Sequence, residues 1–165
     1  MVPCSWKGLF DREMRSGFWI NNHIAIVDAS IGRSEGLKPM QSAPASLYTR
    51  LGGYDAIAAV VDDLLPRLRA DELLGRFWTS PRSVDTNNRE RQLAIDFIAA
   101  AAGGPTFYLG RDMRQSHKGM GITKADYAAF MRCLSVTLDT FEVPELERSE
   151  VVAFVTSLEP EIVEA

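Results

Sequence analysis

From Ser46 onwards the apolar side chains of this chain follow helical periods, which limits the folds open to it. In "LGGYDAIAAVVDDLLPRLRADELLGRFW" the apolar side chains recur with a period of about 3.6 residues, at Ile57, Val60, Val61, Leu64, Leu65 and Leu68. Pro66 removes one backbone donor, so we expect it to bend or divide this helix. No strand pattern competes after residue 46. The sequence therefore predicts an all-α fold.

Further helices are marked by their ends. A second helix is predicted from near Thr86 to Ala102, where the segment "GGP" stops it. Another begins at Thr123, which forms a capping-box-like pair with Asp126. A last helix follows Pro144, and its apolar residues stay in line through residue 162.

Residues 1–46 have a different character. The segment "SIGRSEGLKPMQSAPAS" has the Gly, Ser and Pro content of a linker. The segment "WINNHIAIVDA" is compatible with a strand or hairpin, or with a disordered or loosely docked arm. Met40 directly precedes the helical part, so translation could start there, and the first 39 residues would then have no function. We predict an N-terminal extension, residues 1–46, and a helical domain, residues 47–165.

Charge and cysteine content exclude several classes of protein. Acidic side chains outnumber basic ones by 22 to 18, for a net charge of −4, so nucleic acid is not an expected partner. Cys4 and Cys133 form no CxxC pattern, which argues against a disulfide framework or a zinc ribbon. No window approaches the ~18 apolar residues of a membrane span. The charges of "DREMR" near the N-terminus do not fit a secretory signal, so we expect a cytoplasmic protein.

One of the two histidines lies on a short helix of its own. Met113 and His117 are one turn apart on the same face, and the glycines of "KGMG" end the helix directly behind them. A histidine at a helix C-terminus is commonly only a surface or capping group. A lone imidazole cannot build a structural zinc site, but it can bind a haem iron, because the porphyrin supplies the equatorial nitrogens. The other histidine, His23, lies in the N-terminal extension, and we predict no role for it.

The aromatic and sulfur-containing side chains of the helical part are a second indication of a cofactor site. Such residues are ordinarily core, but these could line a flat cofactor: Phe77, Trp78, Phe97, Phe107, Tyr108, Met113, Met120, Tyr127, Phe130 and Met131. Asp62 and Asp63 point about 100° apart on a helix, which favours a solvated face over a catalytic carboxylate pair. The sequence contains no phosphate-binding loop, nucleophile elbow or zincin motif.

Three segments resemble the group I truncated haemoglobins. They are "SLYTRLGGYDAIAAVVDDLLPRL", "GRFW" and "GGPTFYLGRDMRQSHKGMGIT", and the resemblance extends from residue 46 to about residue 160. Its most specific part is the run Gly103, Gly104, Pro105, Tyr108, Gly110, Met113, His117, Gly119 and Ile122, with Gly52 and Gly53 in support. The resemblance implies a two-over-two helical sandwich around a haem b.

By this resemblance His117 is the ligand of the haem iron. Met113, Met120, Ile122 and Tyr127 would then contact the haem on the same, proximal side, and Tyr108 would lie near its edge. In the family an aromatic residue packs over the haem at the turn after the first long helix; Phe77 and Trp78 supply it here, and Trp78 is the better-aligned candidate. We add Phe97 from the aromatic set to the cofactor-binding residues.

The distal side departs from the family pattern. Many group I members have a tyrosine that hydrogen-bonds bound oxygen, and Leu65 occupies that position here. Leu93 and Ala94 fall where glutamine or another polar group often helps. A charge-assisted hydrogen bond is worth about 1.5–3 kcal/mol, so we expect O2 release to be roughly ten- to a hundredfold faster than in tyrosine-containing relatives. Gln92 or the indole N–H of Trp78 could restore the interaction.

The function that the resemblance implies is reversible binding of O2, NO or CO at a five-coordinate haem, for oxygen transport or the handling of NO. An enzymatic alternative is NO dioxygenation, which needs a separate reductase because nothing in the sequence binds flavin or nicotinamide. A gas or redox sensor, with residues 1–46 as the transmitter, is a third hypothesis. A haem-free helical interaction module is the hypothesis from another class, and it predicts a colourless protein.

Overall fold

The computed structural model describes residues 44–164, and every regular element within them is helical. In chain order the helices are α1 (Leu47–Arg50), α2 (Gly53–Ala70), a 3-10 helix (Gly75–Trp78), α3 (Val84–Ala101), α4 (Met113–His117), α5 (Lys124–Thr140), α6 (Glu145–Ser157) and α7 (Glu159–Ile162). The strand or hairpin considered for residues 19–29, and with it Cys4, His23 and Met40, lies outside the described residues.

Side chains at the helix starts account for where the helices begin. Ser83 accepts a hydrogen bond from the backbone N–H of Thr86, so α3 begins at Val84, two residues before the predicted start. The capping box predicted for α5 is confirmed. Thr123 accepts from the backbone N–H of Asp126, while the Asp126 carboxylate accepts from the backbone N–H of Thr123.

Helix α2 runs as one helix through Pro66, so of the two effects expected of this residue, a bend or a division, the division does not occur. Pro66 lies on the exposed side of α2, whereas Leu64 and Leu68 on either side of it are buried. An interior proline costs about 3 kcal/mol, and burial of one leucine contributes about 1.5–3 kcal/mol. The apolar contacts of the buried face therefore offset the missing backbone hydrogen bond.

The last predicted helix is two helices in the structure. Helix α6 ends at Ser157, and α7 begins at Glu159 with Pro160 in its first turn. Proline has no backbone N–H to donate back to the preceding turn, but it is tolerated in the first turn of a new helix. The apolar period continues across Leu158 because both helices turn an apolar face to the same interior.

Helix α2 lies at the centre of the packing, where it contacts both α3 and α5. One buried cluster joins α2 to α3 through Ile57, Val61, Ile95 and Ala99. A larger cluster joins α1 and α2 to α5 and the turn after it, through Leu51, Leu64, Leu68, Leu74, Ala129, Leu134, Leu138 and Val143. Valines of α6 pack against the larger cluster, so the core forms between α2 and the helices around it.

The glycine pair after α3 permits a close approach of two chain segments. A Cβ on Gly104 would lie 2.5 Å from the ring of Tyr48 and 2.8 Å from the carbonyl oxygen of Ala99. The backbone N–H of Tyr48 donates to the carbonyl oxygen of Ala102 at 2.8 Å. Any larger residue at 104 would push α1 away from the end of α3.

No helix between residues 44 and 164 combines the length and the apolar character that a bilayer crossing requires.

Candidate functional site

A cavity of about 1030 Å³ opens between the helices, and its walls come mainly from α2, α3, α4, α5 and α6. This volume is at the upper end of the ~300–1,000 Å³ typical of ligand pockets. All eleven residues predicted to bind the cofactor line it: Leu65, Trp78, Leu93, Ala94, Phe97, Tyr108, Met113, His117, Met120, Ile122 and Tyr127. Residues that are 62 positions apart in the chain therefore meet around one space.

His117 is the last residue of α4. Asp112 caps this short helix by accepting a hydrogen bond from the backbone N–H of Gln115 at 2.7 Å. The ring nitrogen Nδ1 of His117 lies 2.8 Å from the carbonyl oxygen of Met113. A carbonyl oxygen only accepts hydrogen bonds, so Nδ1 carries the proton, and Nε2 keeps a lone pair that can bind a metal ion.

The loop behind His117 is held by a carboxylate from the end of the chain. Glu164 accepts hydrogen bonds from the backbone N–H of Gly119 at 2.6 Å and of Gly121 at 2.7 Å. These two backbone donors hold the pKa of Glu164 below its usual range. Helix α7 packs directly against α4. The C-terminal segment therefore buttresses the helix that carries the histidine.

Apolar side chains from α2 and α3 form another part of the wall. Leu65 comes from α2, and Leu93, Ala94 and Phe97 come from α3. The indole N–H of Trp78 is not available to a ligand, because it donates to the Glu90 carboxylate at 2.9 Å. Leu65, Leu93, Ala94 and Phe97 therefore offer a ligand no side-chain donor, and the polar lining of this side comes from Arg82, Thr86, Arg89 and Glu90.

The structure corrects one suggested donor. Gln92 does not line the cavity; its side chain is exposed and its Nε2 donates to the Tyr54 hydroxyl and to Asp96. Glu90, which we had not assigned to the site, lines the cavity instead. The helical period could have identified it, because Glu90 lies three and four residues before Leu93 and Ala94 and so shares their face.

Two members of the aromatic and sulfur-containing set lie elsewhere. Phe107 is 87% exposed and does not line the cavity. Met131 packs against the larger core cluster rather than the cavity. Phe77 and Phe130 do line it. Residue type alone did not distinguish a cavity wall from a surface loop or an ordinary core position.

The sequence favours a solvated helix face for Asp62 and Asp63; in the structure Asp62 is exposed and Asp63 is partly buried, and each is hydrogen-bonded to an arginine. Asp62 pairs with Arg91 across α2 and α3, at 2.5 and 2.8 Å. Asp63 bonds to Arg67 and to Thr137 of α5. The pKa of each carboxyl is lowered, mainly by its hydrogen-bonded arginine. The two carboxylates serve separate contacts between helices and do not form one acid–base site.

Tyr127 and Asp126 anchor the wall on the α5 side. The Tyr127 hydroxyl donates to the carbonyl oxygen of Val155 at 2.5 Å, and burial raises its pKa to about 12. Asp126 is 1% exposed and accepts from Thr123 Oγ1 and from Arg76, at 2.7 Å each. Hydrogen bonds from Thr123, with the Arg76 charge, hold the pKa of Asp126 below its usual range.

The chemistry of the cavity fits a haem. One imidazole nitrogen is available to bind iron, and a porphyrin brings its own equatorial nitrogens. Aromatic and aliphatic side chains from five helices could contact the flat macrocycle. Within residues 44–164 no group of three or more His, Cys, Asp or Glu side chains is arranged to hold a bare metal ion.

Comparison with known proteins agrees with this geometry. The model of the bacterial-like globin family matches residues 46–164. The group 1 truncated haemoglobin of Mycolicibacterium paratuberculosis is 37% identical over 122 residues, which cover 74% of this chain and 87% of that protein. The group 1 truncated haemoglobin of Tetrahymena pyriformis is 30% identical over 102 residues, covering 62% and 81%.

Solved structures share the architecture. The truncated haemoglobin of Tetrahymena pyriformis in its Fe(III) form superposes with a TM-score of 0.66 at 25% identity, over 73% of this chain and all of that one. The cyanomet 2/2 haemoglobin of a Synechococcus species, with covalently attached haem, gives a TM-score of 0.64 at 30% identity, over 72% and 98%. These matches confirm the predicted all-α, two-over-two fold. The chain belongs to the group I truncated haemoglobins of the bacterial-like globin family, and it is a haem-binding globin.

Proposed function

We propose that this globin holds a haem b through His117 alone and binds O2, NO or CO reversibly. The observation that carries the proposal is the 2.8 Å contact between His117 Nδ1 and the Met113 carbonyl oxygen, in the wall of the cavity. This contact leaves Nε2 as the metal-binding nitrogen. A backbone acceptor on the other ring nitrogen also fixes the tautomer and the plane of the imidazole.

A ferrous haem with one histidine ligand supplies an open coordination position for a diatomic gas. Residues of this chain would hold the cofactor from two sides. On the side of α4 and α5 these are Met113, His117, Met120, Ile122 and Tyr127, with Tyr108 at the edge. On the side of α2, α3 and the 3-10 helix they are Leu65, Trp78, Leu93, Ala94 and Phe97. Mostly apolar walls exclude water and so strengthen the polar contacts that remain.

The wall formed by α2 and α3 favours fast exchange of O2. Leu65, Leu93 and Ala94 have no side-chain donor, and the indole N–H of Trp78 is already bonded to Glu90. Bound O2 carries partial negative charge and gains about 1.5–3 kcal/mol from a charge-assisted hydrogen bond. Neutral CO depends much less on such a donor. We therefore propose a gas-binding role in which O2 leaves quickly.

The optical spectrum of the purified ferric and ferrous protein tests the proposal. We expect an intense Soret band and a five-coordinate ferrous form in the full-length protein. In His117→Ala the histidine-ligated spectrum should be lost, and in His117→Gly added imidazole should restore it. Gln115→Ala, an exposed residue of the same helix, is the matched control and should keep the wild-type spectrum. A colourless protein, or an unchanged ferrous spectrum in His117→Ala, would contradict the proposal.

The handling of NO, an electron-donating reductase and a cytoplasmic location stay predictions of the sequence. Membership of a haem-binding family argues against the haem-free interaction module.

A further inference from the structure

Glu90 is the centre of a polar cluster in the wall formed by α3. Its Oε1 accepts the indole N–H of Trp78 at 2.9 Å. Its Oε2 accepts from Arg69 at 3.0 Å and from Arg82 at 3.4 Å. The Glu90 side chain is 25% exposed. Glu90, Trp78 and Arg82 all line the cavity, so this cluster belongs to its surface.

The cluster joins separate parts of the chain around the indole. Arg69 comes from the end of α2, Trp78 from the 3-10 helix, and Arg82 from the loop before α3. The Arg69 side chain is partly buried, its Nε is buried without a hydrogen-bond partner, and its guanidinium also reaches Asn87 of α3 at 3.4 Å. The Glu90 carboxylate is thus held from two sides, which limits how far it can turn away from Trp78.

The pairing has a chemical consequence for the pocket. An indole has one donor and no acceptor, and a carboxylate has acceptors and no donor. While they are bonded to each other, the N–H of Trp78 cannot serve a ligand. The neighbouring positions Leu65, Leu93 and Ala94 provide no replacement.

We propose that Glu90 is a positioning residue that sets ligand selectivity by holding the Trp78 indole N–H away from the ligand space. This inference rests on the proposed gas-binding function. By this inference, the Glu90–Trp78 contact withholds a donor from the ligand, in addition to the lack of donors on Leu65, Leu93 and Ala94. Removal of the carboxylate frees the indole N–H, which can then donate to bound O2.

The O2 dissociation rate of the full-length holoprotein tests this role. We expect Glu90→Ala to slow O2 release by about three- to tenfold, the range of one added neutral hydrogen bond. Glu90→Gln keeps a carbonyl acceptor for the indole and should stay closer to the wild type than Glu90→Ala. Trp78→Phe alone should change the rate less than about twofold, because its N–H is not used by the ligand. The double variant Glu90→Ala with Trp78→Phe should lose the slowing.

The rate of CO dissociation is the internal control, because CO is little affected by a donor. An unchanged or faster O2 release in Glu90→Ala would overturn the proposal. Slow O2 release that persists in the double variant would overturn the proposal as well, because that variant has no indole N–H to donate. Much faster O2 release in Trp78→Phe would mean that Trp78 already serves the ligand in the wild type.

Hydrogen exchange of the indole N–H gives a readout that does not depend on O2 binding. The chain has three tryptophans, and the signal missing in Trp78→Phe identifies Trp78 by ¹⁵N NMR of the CO-bound or haem-free protein. We expect faster exchange of this proton in Glu90→Ala, with protection retained in Glu90→Gln. Equal exchange in Glu90→Ala and wild type would overturn the positioning role. A wild-type protein without a Soret band would instead overturn the proposed function, and the exchange measurement would still decide the contact.

Discussion

At the scale of single residues, the hydrogen-bond donors around the cavity depend on a few positions. Leu65 lines the cavity from α2 and is half-buried. Pro66 follows it without breaking the helix, so the backbone at residue 65 stays helical. A side chain at this position therefore keeps the direction that the helix gives it, towards the cavity.

Leu65→Tyr should convert the pocket into one that retains O2. A hydroxyl donor from this position would stabilise bound O2 by about 1.5–3 kcal/mol and slow its dissociation by roughly ten- to a hundredfold. Leu65→Phe adds the same ring without the hydroxyl and is the control. Stopped-flow measurement of O2 release compares the three proteins. Equal rates in the tyrosine and phenylalanine variants would show that residue 65 does not reach the ligand.

At the scale of helices, α4 has only five residues and cannot be stable alone. Its cap at Asp112 and the hydrogen bonds of Glu164 to the loop behind it compensate for this shortness. The position of His117 thus depends on a contact to a residue 47 positions further along the chain. We expect the strength of haem retention to depend on that contact.

Glu164→Ala should release haem several-fold faster than the wild type, because the loop from Gly119 to Gly121 loses its acceptor. Transfer of haem to an excess of a haem-scavenging apoprotein measures this rate. Glu161→Ala removes a neighbouring exposed carboxylate of α7 and serves as the control for charge. Equal rates of haem loss in Glu164→Ala and Glu161→Ala would argue against a specific role of the Glu164 contact.

The start of α5 depends on ionised Asp126. Its pKa is lowered in the folded state, so its contribution to stability is complete above the ordinary aspartate range near pH 4 and is lost as the pH falls further. Asp126→Asn should lower the free energy of unfolding by about 2 kcal/mol at pH 7. The difference from the wild type should shrink below about pH 4. Denaturant unfolding monitored by circular dichroism across this pH range measures both effects, and a pH-independent difference would contradict the assignment.

At the scale of the whole molecule, the cofactor site and the core share the same side chains. Leu64, Leu68 and Leu134 of the larger cluster line the cavity, and so do Ile57 and Val61 of the smaller one. A haem bound there would bury apolar surface of both clusters. Binding of a ligand to the folded state alone raises its stability.

Haem should therefore raise the melting temperature of the protein markedly. At a free haem concentration about 100 times the Kd, the stabilisation is about 2.7 kcal/mol, which corresponds to a shift on the order of 10 °C for a domain of this size. Differential scanning calorimetry of the holoprotein and apoprotein measures it. His117→Ala should show a smaller shift than Gln115→Ala. Equal melting temperatures with and without haem would contradict a site that shares the core.

Local signals in the sequence predicted much of this molecule. The capping box of Thr123 and Asp126, the glycine stop after α3 and the helical apolar periods involve residues within a few positions of one another. Such interactions form in a helix whatever its neighbours are. The eleven predicted cofactor residues all line one cavity. Most of them were assigned by resemblance to a family whose helices have this arrangement.

Contacts between distant residues decided what local patterns left open. Local sequence patterns were enough to predict that the part after residue 46 is helical and that His117 ends a short helix beside Met113. Local patterns did not show that α2 continues through Pro66, that Glu90 and not Gln92 faces the cavity, or that the indole N–H of Trp78 is bonded to a carboxylate. The physical reason is that a helix determines the angles between its own residues, whereas its rotation and its partners depend on packing against other helices.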